Sequence, residues 1–409
     1  VGLAGVYRLP RADDRSRDGR RGAARAPRAG HTLQAMSPER PASYSSAGVD
    51  YSALDAAKRL AMAAALPTSQ WMQARGAQAY ERSRGEPAFV FELGGRALAF
   101  VLEGLGTKSI IAREVLAAEG IDRFADVAYD AVAAIVNDLC CVGALPLVAN
   151  AYFATGGSHW FEDAGRASAL MDGWRRACDD AGCAWGGGES PSLPGLVAER
   201  DIELAGAAVG AVPEGRRPIL GEELAPGDEI VLVASSGLHA NGASLARLVA
   251  ERLPAGFATR LPSGASFGEA LLEPSIIYVA LVDALLGSGV RLTYLSHITG
   301  HGLLKLMRAG ADLAYHVRRL PQVPEVLEFL VREAGLDEQG AYSTFNMGSG
   351  MAIYCRAGDG ERVLGLASEQ GLDALVAGEV GPGPRQVVLE PVGVRFGADK
   401  LQLSPGGCR

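Results

Sequence analysis

The apolar positions of this chain fall into two recurrent patterns. Short runs bounded by glycine, proline or charge read as strands: residues 87–93 (PAFVFEL), 97–102, 146–153, 202–212, 229–234 (EIVLVA), 352–355, 376–380 and 386–389. Gly94-Gly95 between the first two is a hairpin signal. Longer stretches with helical spacing cover 53–65, 129–136, 161–181, 243–253, 321–335 and 363–371, with Met171 and Trp174 as expected core residues. Further helices are expected up to Leu286 and after Gly302. Strands and helices alternate loosely in both halves, with hairpins among them. That order predicts an α/β protein of the α+β type, with two split domains rather than a doubly wound sheet. The Pro/Gly/charge-rich stretch 213–227 (PEGRRPILGEELAPG) reads as the boundary. The expected divisions are a basic extension at 1–42, domains at 43–213 and 214–392, and a polar, Gly-rich tail at 393–409.

Composition narrows this picture. The chain has 409 residues, 48% hydrophobic and 21% charged, which is an ordinary globular profile. No apolar run approaches the roughly 18–20 residues of a membrane span, so no membrane partner is expected. Cys140, Cys141, Cys178, Cys183, Cys355 and Cys408 show no CxxC pairing and read as reduced thiols of a cytoplasmic-type compartment. The net charge of -8 argues against a general nucleic-acid binder. The charge is uneven: residues 1–40 carry nine Arg against four acids, so that segment is +5 and the remainder is -13. Its lack of apolar periodicity predicts disorder. The first Met is Met36, and the favoured expectation is that residues 1–35 are translated sequence upstream of a start there. An organellar import signal and a nucleic-acid-binding arm are the competing readings, the former weakened by its acids.

Several polar insertions carry candidate chemistry. Asn137-Asp138 closes the apolar run AVAAIV, where an amide and a carboxylate must find partners; such oxygens suit Mg²⁺ and a nucleotide phosphate, or equally a helix-terminal cap. Glu103-Gly-Leu-Gly-Thr-Lys108 follows a strand. Gly104 and Gly106 free the backbone for a ligand, and Thr107 and Lys108 suit phosphate oxygens. Its spacing is not that of a Walker loop, and no strand–loop–helix of that type is expected there. A second glycine-rich loop, 184–195 (AWGGGESPSLPG), presents Glu189 after Gly186-Gly187-Gly188. A third, Ser235-Ser-Gly-Leu-His-Ala-Asn-Gly242, runs from a strand into a helix N-terminus, a geometry that favours anions, with His239 and Asn241 at its mouth. His297 and Thr299 sit in LSHITGHG. Read alone, each is also compatible with a turn, a cap or a solvated side chain.

Taken together, these loops resemble the phosphoribosylformylglycinamidine cyclo-ligase family, the aminoimidazole ribonucleotide synthetases. AGVDY at 47–51 resembles the family's entry motif, and EGLGTK at 103–108 its DGVGTK. VNDLCCVGALPL at 136–147 with YFATG at 152–156 resembles VNDL…GAEPL…YxATG, and GCAWGGGESPSLPG at 182–195 resembles GC…VGGETAEMPG. SSGLHANGASLAR at 235–247, LLEPSIIYV at 271–279, SHITGHG at 296–302 and YSTFNMGSGM at 342–351 follow in the family's order. The departures are Glu103 for an Asp, Ser192 for an acid, His301 for a Gly, and no counterpart between Pro67 and Glu86 of the family's GGFGG-like loop.

The resemblance implies a two-domain synthetase fold whose N-terminal sheet pairs with that of a second subunit, hence a homodimer. It implies ATP- and Mg²⁺-dependent closure of N-formylglycinamidine ribonucleotide to aminoimidazole ribonucleotide, in de novo purine biosynthesis. By the same resemblance Asp138, His239 and His297 are candidate catalytic residues. Glu103, Asp138 and Glu189 are candidates for Mg²⁺. Gly104, Gly106, Thr107, Lys108, Asn137, Gly187 and Gly188 are candidates for ATP phosphates. Asn241, Gly242, Thr299, Gly300, Thr344 and Asn346 are candidates for the ribonucleotide. Sister enzymes of the superfamily are the rival reading: selenide water dikinase, thiamine-phosphate kinase and the hydrogenase-maturation dehydratase, whose functional terminal Cys invites comparison with Cys408. A non-catalytic nucleotide-binding homologue is the third.

Overall fold

The computed structural model describes residues 51–401. The expectations for the basic extension, for AGVD at 47–50 and for Cys408 lie outside the described residues. The chain opens with α1 (Tyr51–Ala65) and α2 (Gln70–Gln73). A six-stranded sheet follows: β1 (Ala77–Ala79), β2 (Phe89–Leu93), β3 (Arg96–Gly104), β4 (Leu145–Thr155), β5 (Ala184–Glu189) and β6 (Ile202–Ala211). Its spatial order is β1-β2-β3-β6-β4-β5. The helices α3 (Lys108–Glu119), α4 (Phe124–Cys140) and α5 (Ala164–Asp180) belong to this half.

Seven strands make the second sheet: β7 (Glu229–Ala234), β8 (Leu292–His297), β9 (Leu313–Val317), β10 (Ser349–Cys355), β11 (Ala374–Pro382), β12 (Gln386–Leu389) and β13 (Val394–Gly397). They lie in the order β13-β12-β9-β11-β7-β10-β8. Its helices are α6 (Ala243–Ala250), α7 (Phe267–Leu271), α8 (Val279–Ser288), α9 (Glu325–Ala334), α10 (Glu338–Thr344) and α11 (Gly360–Glu369). Among the named strands β4–β5 and β9–β12 pair in parallel and the other pairings are antiparallel. That is the mixed α/β architecture expected, not a doubly wound sheet.

Burial explains how the first half is layered. On α4, Val127, Ala131, Ile135 and Leu139 recur at helical spacing and are all buried against the sheet and α5. Trp174 of α5 is wholly buried and meets Phe153 of β4 edge-on, with ring centroids 5.2 Å apart. On β3, Ala99 and Val101 point into this core, while Phe100 and Leu102 face the other way and are exposed. In the second sheet β10 is buried along its whole length, so both of its faces are covered.

Four features depart from the sequence reading. A strand–loop–helix does follow Glu103: β3 ends at Gly104 and α3 starts at Lys108. The glycine-rich stretch from Ala184 is an edge strand, not a loop. Glycine is required there because a Cβ at Gly188 would stand 2.1 Å from the Ala151 carbonyl oxygen of β4. The expected tail begins with β13, whose Val394 and Phe396 are buried. Strands β1, β8 and β9 were not read from the sequence; in β9 four of the five residues are buried, so no apolar–polar alternation marks it.

Helices α4 and α5 approach closely at Gly173, where a Cβ would lie 1.9 Å from the Ala125 carbonyl oxygen. Alanine gains about 1 kcal/mol of helix propensity, but overpacking of this severity costs about 3 kcal/mol. Gly173→Ala should therefore lose roughly 2 kcal/mol of stability, read from the midpoint of urea unfolding. An unchanged midpoint would refute the close packing.

Candidate active site

The chemistry gathers around one cavity of about 490 Å³. Its walls come from distant parts of the chain. Helix α1 contributes Lys58, Ala61 and Met62, and the turn before β2 contributes Gly85, Glu86 and Pro87. The end of β3 gives Glu103, Gly104 and Leu105, and α4 gives Ala134 and Asp138. Ala240 and Asn241 come from the loop after β7; Thr299, Gly300, His301, Lys305 and Arg308 come from the turn and 3-10 helix after β8. The wall thus bears three carboxyl groups and the three cations Lys58, Lys305 and Arg308.

Asp138 is the best-held of the acids. It sits in the last turn of α4, and its Oδ1 is 2.7 Å from Nδ1 of His297 at the end of β8. Burial alone would raise its pKa, but the His297 hydrogen bond and the charges of Lys305 and Arg308 reverse this and hold it below the usual carboxylate range. Glu103 responds in the opposite sense: burial, then the adjacent charge of Asp138, pushes its carboxyl up, and the two carboxyls share a hydrogen bond. Two neighbouring acids are thereby driven apart, one ionised and one protonated, the condition for an acid and a base at one site. Lys305 is buried and bonded to the Thr299 hydroxyl; burial, then the Arg308 charge, pulls its pKa down to about 8.

Glu86 forms a second acidic point. Its Oε2 accepts from the Tyr294 hydroxyl at 2.8 Å and lies 3.8 Å from Nε of Arg308, whose guanidinium also donates to the Gly85 carbonyl. Burial pushes its carboxyl up to about 7 against the opposing influence of Arg308 and Tyr294. Its Oε1 and the Arg308 Nε are buried without hydrogen-bond partners. A buried polar atom left unpaired costs about 1–3 kcal/mol.

Of the residues singled out in the sequence, Glu103, Gly104, Asp138, Asn241, Thr299 and Gly300 line this cavity, and His297 joins it through Asp138. Others are bonded behind it. Asn137 donates to the Ile276 carbonyl and accepts from the Tyr278 amide, both at 2.8 Å, which ties α4 to the segment before α8. Asn346 bonds Ser235, Gly348, Gly237 and Leu238 and so shapes the loop after β7. Thr107 is 3.0 Å from the Ser244 hydroxyl of α6, and Gly242 caps that helix at φ +112°. Gly106, at φ +75°, makes the turn into α3. Thr344 ends α10 and is not part of the cavity wall.

Lys108 is wholly buried rather than presented to a ligand. Its ammonium pairs with Asp130 of α4 and donates to the His239 carbonyl at 3.1 Å. His239 itself adopts a left-handed backbone, φ +58°. Its Nε2 accepts from the Ser236 amide at 3.1 Å, which assigns the neutral ring's proton to Nδ1, and Nδ1 is buried without a partner. Burial, then the His297 and Lys108 charges, forces its pKa well down, so the ring is neutral.

Glu189 does not join the other two acids. Glu103 aligns with Gly206 of β6, that residue with Ala151 of β4, and that one with Gly188 of β5. Three strand spacings, about 14 Å, therefore separate Glu189 and its neighbours Gly187 and Gly188 from Glu103. Among the described residues no three His, Cys, Asp or Glu side chains form a metal-holding group. Two carboxylates suffice for Mg²⁺ delivered with substrate phosphates, since that ion commonly keeps water and takes one or two protein oxygens. Glu103 and Asp138 fit such an ion; a resident ion held by protein alone does not fit. Glu86, Lys305 and Arg308 went unread in the sequence, and His301 was noted only as a departure from the family motif and Lys58 only as part of a helix's polar side. The signal for two of them was a lysine and an arginine inside the otherwise apolar run LLKLMR at 303–308.

Comparison with known proteins places these loops in context. The family profile described as "AIR synthase related protein, N-terminal domain" matches residues 85–212, and its C-terminal counterpart matches residues 225–390. The chain is 37% identical over 295 residues to the phosphoribosylformylglycinamidine cyclo-ligase of Anaeromyxobacter sp. (strain Fw109-5), covering 71% of this chain and 82% of that protein. It is 39% identical over 289 residues to the protein of that name from Sorangium cellulosum, covering 68% and 78% respectively. Among solved structures, thiamine-monophosphate kinase from Stenotrophomonas maltophilia aligns with a TM-score of 0.53 at 19% identity, covering 75% of this chain and 90% of that one. Escherichia coli HypE, a hydrogenase maturation protein, aligns with a TM-score of 0.52 at 20% identity, covering 74% and 85%. Those two likenesses concern the fold.

The burial of Lys108 has a measurable consequence. Removing one partner of a buried ion pair costs about 3–5 kcal/mol, so Lys108→Met should lose that much in chemical denaturation. Lys108→Met/Asp130→Leu, which removes both charges, should recover most of it. A single variant as stable as the parent would contradict the pairing.

Proposed function

The chain belongs to the phosphoribosylformylglycinamidine cyclo-ligase family, and from this premise we propose that it closes N-formylglycinamidine ribonucleotide to aminoimidazole ribonucleotide at the expense of ATP, a step of de novo purine biosynthesis. The observation that carries the reading is the His297–Asp138–Glu103 array on the cavity wall, with Lys305 and Arg308 beside it. A formyl oxygen is a poor leaving group. In the scheme it attacks the γ-phosphorus of ATP, the bond to the bridging oxygen breaks, and ADP departs with that electron pair. The substrate's own nitrogen then attacks the activated formyl carbon, phosphate leaves, and a proton is lost from the attacking nitrogen.

The chain's part in this is positioning and charge neutralisation, which dominate phosphoryl transfer. Glu103 and Asp138 are the residues to hold Mg²⁺ entering with the nucleotide, and the ion would supply charge to the transferring phosphate. His297 fixes the orientation of Asp138 and keeps it ionised. Lys305 and Arg308 offset the negative charge brought into the cavity. Asn241 and Thr299 present neutral polar groups to the ribonucleotide.

The reading extends to assembly and compartment. The outer face of the first sheet exposes Phe100, Leu102, Leu147 and Tyr152, with Leu102 68% and Leu147 54% accessible. A contiguous apolar sheet face of this kind is a protein contact, and the occupant we assign is the same face of a second copy. The five described cysteines are free, which supports a reducing, cytoplasmic setting. No helix among the described residues is long and apolar enough to cross a membrane.

Purified protein given ATP and Mg²⁺ should release ADP only when formylglycinamidine ribonucleotide is present, with an equal yield of aminoimidazole by colour assay. ATP turnover without that product would assign the chain to a sister enzyme. Asp138→Asn should abolish turnover and retain the parent's circular dichroism; undiminished turnover removes Asp138 from the mechanism. In sedimentation the protein should be a dimer, and Leu102→Glu should make it a monomer; a monomeric parent would dispose of the assembly.

A further inference from the structure

The end of α5 brings two thiols together outside the cavity. Gly182 stands just beyond the helix at φ +63°, and its amide donates to the Asp179 carbonyl at 3.0 Å. The next amide, that of Cys183, donates back to the Cys178 carbonyl, also at 3.0 Å. This pair of bonds is a common C-terminal helix stop, which brings the side chains of its first and last residues into contact. Here both are cysteines. Cys178 is buried on α5, and Cys183 is half-buried where the chain enters the edge strand β5. A disulfide needs Cα atoms within about 7 Å of each other, and the backbone hydrogen bond between these two residues holds them inside that limit.

The two thiols are unequal. The Cys178 S–H donates to the Cys183 sulfur, which pulls the Cys183 pKa down against the effect of burial; the same bond, then burial, pushes Cys178 up. The thiolate is the reactive form of cysteine. The more exposed residue is therefore also the more readily ionised, and a protonated neighbour lies behind it, the order of an attacking and a resolving thiol. Cys140 of α4 lies near Cys183 as well, wholly buried and with its pKa pushed up by burial.

We propose that Cys178 and Cys183 are a redox modification site, a dithiol that closes to an intrachain disulfide by exchange with a low-molecular-weight disulfide. The Cys183 thiolate attacks one sulfur of the reagent, its S–S bond breaks, and one thiolate leaves and takes up the proton that Cys183 has lost. The Cys178 thiol then attacks the Cys183 sulfur of the mixed disulfide, and the second reagent thiolate leaves with the Cys178 proton. The protein loses two electrons and two protons, and the reagent becomes two thiols. Closure fastens the end of α5 to the start of β5, an edge strand beside β4. The cyclisation chemistry plays no part in this exchange.

The test is incubation of the full chain with oxidised glutathione, then blocking of the remaining thiols and a tryptic map without reduction. Cys178 and Cys183 share the tryptic peptide 177–200, whereas Cys140 lies in 124–166. The expected product is peptide 177–200 two hydrogens lighter and free of glutathione, restored by a reducing agent. Cys178→Ser should stop at the mixed disulfide, with glutathione kept on Cys183, and Cys183→Ser should leave the peptide unmodified. Glutathione retained on the parent's Cys183 without closure, a bridge joining 177–200 to 124–166, or an unmodified 177–200 overturns the proposal. The parent's map decides the matter even where a serine variant fails to fold.

Discussion

The buried charge pair of Lys108 with Asp130 anchors the junction between the two halves of this molecule. Lys108 opens α3 and Asp130 lies in α4, both beside the first sheet, yet each reaches into the second half. Lys108 donates to the His239 carbonyl at 3.1 Å, and Asp130 accepts from the Ser275 amide at 2.7 Å. Asn137 adds a second crossing through Ile276 and Tyr278. The walls of the cavity come from both halves, so its dimensions depend on these crossings being stiff. A buried ion pair contributes little net stability over an apolar isostere; what it contributes here is a fixed distance between two sets of loops.

The same economy governs the reactive residues. Asn137 and Asp138 are neighbours on one helix turn but do different work. The amide spends all its hydrogen bonds on structure, and the carboxylate is thereby placed against His297 and Glu103. His239 shows the inverse case, in which the backbone carbonyl is structural and the ring retains one unpartnered nitrogen. Roles in this site belong to atoms rather than to residues.

This division sets how much the sequence could disclose. Apolar runs bounded by glycine, proline or charge located strands such as β2, β3, β7 and β10, but they did not mark β1, β8, β9 or β13. Motif spacing singled out Glu103, Asp138, Asn241 and Thr299, which line the cavity. It also gathered Lys108 and Glu189 with them, because a cation or acid in a glycine-rich stretch looks the same whether it ends in a cavity, in a buried pair or on a sheet edge. Only the strand register puts Glu189 three strands away. Glu86 was illegible for the reverse reason. It lies in an unremarkable segment, and its place beside Tyr294 arises from a contact over more than two hundred residues.

The cavity holds three carboxyls and three basic side chains in nearly matched numbers, most of them removed from water. With Glu103 protonated, the cations of the wall outweigh its ionised acids, which suits a cavity that takes up phosphates. The departures from the family motifs at Glu103 and His301 lie on the same wall as Lys305 and Arg308. Replacing one member changes the field in which its neighbours ionise, so a substitution here is felt across the whole wall rather than at one position.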